Sequence, residues 1–130
     1  MTQQVDHARE QAKAQLQSIT EMVGTLRAAI EDDASLEEAV EAIQADALDV
    51  QVRTGWYNPG LDKGTVDEYT ILLCTGGPAV RIIGILSQYA EPDSARIEYQ
   101  DWGTPWTDFP LTSEEEAIVL EYAQQFYYGE

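Results

Sequence analysis

The only cysteine of this 130-residue chain, Cys74, stands in "LLCTGGPAVRI" just ahead of Gly76, Gly77 and Pro78. A cysteine attacks as the thiolate, so a catalytic one needs a base, a metal or a helix N-terminus to lower its pKa. The only imidazole, His7, is far away in sequence. A phosphate-cradling loop would need G-x-x-x-x-G-K-[ST], or G-x-G-x-x-G between a strand and a helix. Here no lysine and no helical pattern follows the glycines. The stretch reads instead as a hairpin whose glycines supply positive φ and whose Pro78 starts the next strand, leaving Cys74 an unreactive thiol at a strand end. One Cys and one His allow neither an internal disulfide nor a Cys/His metal cluster. Carboxylate pairs such as Asp101 and Asp108 suit glycosidase-type acid–base work, yet among 24 acidic residues such pairs arise by chance. With no catalytic set, no cofactor loop and no metal ligands, the expectation is a binding protein and not an enzyme.

Two kinds of residue could do the binding. Trp102, Trp106 and Phe109 crowd one Pro- and Gly-rich stretch, and Trp56 with Tyr57 sits in another. Loop aromatics serve as interaction anchors, or they fold inward to close a sheet end. Core closure is the favoured reading, because an exposed aromatic patch endangers solubility. The second kind is acidic: 24 Asp and Glu face 7 Lys and Arg, for a net charge of −17. Two carboxylates about 6 Å apart repel by only about 0.7 kcal/mol in bulk water, so a fold tolerates this excess. Glu31, Asp32, Asp33, Glu37, Glu38 and Glu41 form one cluster, and Glu114, Glu115 and Glu116 a second. Helix N-termini favour one or two such charges, not so many. Helical neighbours such as Glu37 and Glu41 carry Cβ atoms about 5–6 Å apart, comparable to successive phosphates on one strand. Such a surface repels nucleic acid and anionic lipid and attracts basic surfaces, which mostly bind nucleic acid themselves. The competing explanation is solvation, since acidic faces keep small proteins soluble.

The elements that must position these residues follow from periodicity. Val5, Ala8, Ala12, Leu16, Ile19, Val23, Leu26 and Ile30 recur at spacings of three and four, predicting one long amphipathic helix. Ser35 and Glu38 fit a capping box opening a second helix that ends near Asp46. Leu48, Val50 and Val52 alternate with polar residues as a strand buried on one face. Tyr69, Ile71 and Leu73 mark a second strand, Val80 to Leu86 a third, and Ala95, Ile97 and Tyr99 a fourth after the turn "EPDS". Thr112 and Glu115 form a second capping box, starting a helix that runs to about Tyr128. The expected fold is a single α+β domain, residues 1–130. Two N-terminal helices and one C-terminal helix pack on one face of an antiparallel meander of about four strands.

The blocks "CTGGPAVRIIG" (74–84) and "YQDWGTPWTDF" (99–109) together resemble the short acidic proteins carried by phages and plasmids. The resemblance covers about half of the chain, the sheet region. It implies an inhibitor of host defence of the anti-CRISPR or antirestriction type, several of which are acidic DNA mimics. No site residue carries over with it. The resulting expectation is a cytoplasmic protein of a bacterial host, monomer or homodimer, with no contact to membrane or directly to nucleic acid. Its partner is a basic nucleic-acid-binding protein or complex, met through the acidic clusters. The alternative is an interaction module that uses Trp56, Trp102 and Trp106, with acidity serving solubility.

Overall fold

The three-and-four spacing of the first segment is realised as a helix whose Ala8, Ala12, Leu16, Ile19, Val23 and Leu26 are buried. A computed structural model describes residues 7–54, 56, 59, 66–75, 77–87, 89–101 and 105–128. Their order is α1 (His7–Ala28), α2 (Asp33–Asp46), β1 (Asp49–Thr54), β2 (Val66–Cys74), β3 (Ala79–Ile85), β4 (Arg96–Gln100), β5 (Thr107–Phe109) and α3 (Ser113–Ala123). Val5 lies outside the described residues. Ile30 does not continue the apolar stripe, because α1 ends at Ala28 and Ile30 sits 70% exposed in the following turn.

The α+β class and the antiparallel meander are present, with five strands in the order β1-β2-β3-β4-β5 where about four were expected. The additional strand pairs Ile97 with Phe109, Glu98 with Asp108 and Tyr99 with Thr107. Alternation puts Tyr69, Ile71, Leu73, Val80, Ile82 and Ile97 on one face of the sheet, where they are buried. Over that face lie α1, Ala39 and Ile43 of α2, and Val119, Tyr122 and Ala123 of α3. Among the described residues no helix lies over the opposite face, which carries Arg53, Glu68, Arg81, Ile83, Arg96 and Glu98. At the meander's edge β1 is less covered than its alternation suggests: Val50 is half-buried, but Val52 is 41% and Leu48 59% exposed.

Both helix starts were readable, one of them three residues too late. Thr112 and Glu115 make the expected box: the Glu115 N–H donates to Thr112 Oγ1 (3.2 Å), and the Thr112 N–H donates to Glu115 Oε1 (2.9 Å). In α2 the cap is Asp32, whose carbonyl accepts the first helical bond from the Leu36 N–H at 2.8 Å. Ser35 is inside the helix and donates its hydroxyl to Asp32 Oδ2 at 2.6 Å. Helix α3 stops at Ala123, short of Tyr128. Beyond it Tyr128 folds back, its hydroxyl on the Ala123 carbonyl (2.6 Å) and its ring 5.0 Å from that of Tyr69.

Turn chemistry follows expectation at the β2–β3 hairpin and departs from it at the next reversal. Gly77 has φ 159°, the positive φ expected of a hairpin glycine; Gly76 lies outside the described residues. The β2–β3 hairpin also takes up a register shift between Leu72 and Cys74. After β3 the reversal falls at Ser87 to Glu91, before "EPDS" is complete, closed by the Ser87 N–H on the Glu91 carbonyl (2.8 Å). Ala90 there adopts φ 59°, the left-handed region unusual for a residue with a Cβ.

Candidate partner-binding surfaces

Helix α2 turns Ala39 and Ile43 inward with Leu36 and Val40 half-buried, which fixes what faces outward. Asp33, Glu37 and Glu41 follow one another at i, i+4 along the exposed face, with Glu38 beside them, and Glu31 and Asp32 precede the row; all six are exposed. No Lys or Arg occurs between Arg27 and Arg53 to neutralise them. Asp32 is held below the usual carboxylate range, chiefly by the Ser35 hydrogen bond. Asp33 lies in the first turn, where the helix dipole favours it, whereas Glu37 and Glu41 are beyond the reach of that effect.

The second cluster is smaller in practice. Glu114 and Glu116 are exposed, but Glu115 is half-buried and engaged in the capping box. The two clusters do not form one patch. Arg27, near the end of α1, binds Glu121 of α3 through Nε and Nη2 at 3.0–3.2 Å, while Arg9, near the start of α1, lies 6.0 Å over Phe109 just before α3. Helix α3 thus runs alongside α1 in the same direction. Glu114 is set back from Glu121 by about 10 Å of helix rise, toward the start of α1, whereas residues 31–41 continue from its far end.

Sequence reasoning missed where the positive charge goes. Arg53, Arg81 and Arg96 all sit on the open face of the sheet, each against a carboxylate on a neighbouring strand. Arg53 holds Glu68 at 2.6 Å, Arg81 holds Glu98 at 2.7 Å, and Arg96 reaches Glu98 at 3.6 Å and Asp108 at 3.5 Å. The Arg53 guanidinium keeps the Glu68 carboxyl below its usual range. Alternation alone places these side chains on the polar face; the cross-strand register that pairs them is not visible in sequence. A cleft of about 290 Å³ on this face is lined by Gln51, Arg53, Glu68, Thr70, Arg81 and Ile83, and its charges are already matched by these pairs.

The aromatic candidates separate. Trp106 does not close the core: it lies on the open face, with the Arg81 guanidinium 4.0 Å from its ring centroid. Phe109 does turn inward, edge-on to Tyr99 with centroids 6.4 Å apart. Trp56 is fully exposed, and Trp102 lies outside the described residues. Cys74 ends β2 half-buried, its thiol within 3.8 Å of the Pro78 carbonyl, and burial raises its pKa, the direction of an inert thiol. Asp108 is exposed and turned toward Arg96.

Among the described residues no helix is long and apolar enough to cross a membrane, and no group of three or more His, Cys, Asp and Glu could hold a metal ion. No family model, no curated protein and no solved structure matches this chain.

Proposed function

We propose that the protein is a binding inhibitor that works without turnover. It uses the carboxylate row of α2 to occupy the basic nucleic-acid surface of a host defence complex. The observation that carries this reading is a segregation of charge. The arginines of the sheet are matched on its open face, while Glu31, Asp32, Asp33, Glu37, Glu38 and Glu41 stand exposed with no cation of the described residues paired to them. Solubility alone needs dispersed charge, not a row at one helical spacing. Because Glu114 and Glu116 lie elsewhere on the surface, they form a secondary contact at most. The resemblance to phage and plasmid proteins supplies the class of target.

The first test is capture of partners from a bacterial lysate at low and at high salt. The mimic reading expects nucleic-acid-binding complexes at low salt, lost as salt is raised. Capture that is indifferent to salt would remove it. A second reading rests on Trp56, whose full exposure suits an aromatic anchor. Under it, Trp56→Ala weakens capture more than Glu37→Lys with Glu41→Lys does.

A further inference from the structure

The two edges of the sheet are protected very differently. Strand β5 is three residues long and bracketed by Pro105 and Pro110, the kind of short, proline-flanked edge that does not accept another strand. Strand β1 runs six residues from Asp49 to Thr54 with neither Pro nor Lys, and among the described residues it pairs on one side only, with β2. Its register with β2 is regular through Arg53. Leu48 and Val52 are 59% and 41% exposed on the side of the sheet that carries the helices.

The sequence of this edge is complementary to itself. When two copies of D-V-Q-V-R are laid antiparallel with Gln51 opposite Gln51, Asp49 of each meets Arg53 of the other, and Val50 of each meets Val52. Shifting the centre to Asp49 or Arg53 places like charges face to face. Shifting it to Val50 or Val52 leaves Asp49 or Arg53 opposite Gln51, with no charge pair. Arg53 is 74% exposed along its side chain and binds Glu68 through Nε and Nη2, which leaves further N–H donors for a second carboxylate.

We infer that the chain forms a two-fold dimer through β1, joining two five-stranded meanders into one continuous sheet with both helical layers on the same side. Each Asp49–Arg53 pair extends the Arg53–Glu68 pair across the seam, and Val52 and Leu48 are covered. The inference is independent of the proposed function.

Sedimentation equilibrium of the full chain over a concentration series provides the test, with circular dichroism confirming that each variant is folded. The wild type should dimerise. Asp49→Arg and Arg53→Asp, each placing like charges opposite one another, should each weaken the dimer by roughly tenfold or more, since opposed charges across a strand pair exchange attraction for repulsion at two symmetric positions. Mixing the two variants restores both opposite-charge pairs, so the mixture should form a heterodimer as tight as the wild type. A monomeric wild type, variants that dimerise unchanged, or a mixture that stays monomeric would each overturn the inference.

Discussion

The Tyr69 hydroxyl donates a 2.7 Å hydrogen bond to the Ser94 carbonyl, and the two groups close over Gly84 of the strand between them. A Cβ at Gly84 would stand 2.0 Å from that carbonyl oxygen and 2.8 Å from the tyrosine ring. The backbone of Ser94 cannot swing aside as a flexible side chain would. Overpacking a core generally costs ~1–3 kcal/mol, and Gly84→Ala should fall at or above the top of that range in urea unfolding. Tyr69→Phe, which loses only the hydrogen bond, should cost about 1 kcal/mol.

The two helix starts predict unequal losses. Thr112 Oγ1 satisfies a backbone N–H that is otherwise unpaired at the head of α3, so Thr112→Ala should lose about 1 kcal/mol in the same measurement. Ser35 bonds only a side chain in α2, and Ser35→Ala should stay within about 0.5 kcal/mol of wild type.

These starts also show what the sequence can and cannot convey. Both are preceded by an S/T/D residue with a suitable partner three positions on, and "EDDAS" offers overlapping choices: Ser35 with Glu38 by pattern, Asp32 in fact. The pattern finds the helix, while the residue that turns extended is decided by how α1 hands the chain over. Strand β5 was illegible because three residues carry no period. The inward reading of Trp106 rests on the solubility risk of an exposed aromatic patch; its place over Arg81 depends on β5 and therefore shares that blind spot. The acidic row of α2 was legible, since a 3.6-residue period puts Glu37 and Glu41 opposite Ile43 whatever the tertiary packing.

Alkaline pH should unfold the protein. Burial raises the pKa of Tyr69, Tyr122 and Tyr128, and in Tyr122 the hydrogen bond to Asp46 Oδ2, 2.7 Å long, adds to it. A pKa higher in the folded than in the unfolded state gives stability that is complete below the unfolded value, about 10, and is lost as pH climbs above it. Thermal midpoints should therefore decline steeply above about pH 10. Tyr122→Phe should flatten the decline by one proton while lowering stability near neutrality by about 1.5–3 kcal/mol, the range for a bond to a charged acceptor.

A net charge of −17 makes self-repulsion a standing cost. Added salt screens it and should raise the thermal midpoint; relief of about 1 kcal/mol corresponds to roughly 4 °C in a chain of this size. Glu37→Lys with Glu41→Lys removes part of the repulsion within the α2 row, so this variant should be at least as stable as wild type and less responsive to salt.

If the α2 row takes the place of nucleic acid on a basic surface, the two must compete for it: a labelled DNA duplex bound to the captured partner is titrated with this protein at low salt. Wild type should displace the duplex in proportion to its own binding, and folded Glu37→Lys with Glu41→Lys should not. A partner that holds the duplex and this protein together, or that loses the duplex equally to the charge-reversed variant, would contradict that role of the α2 row.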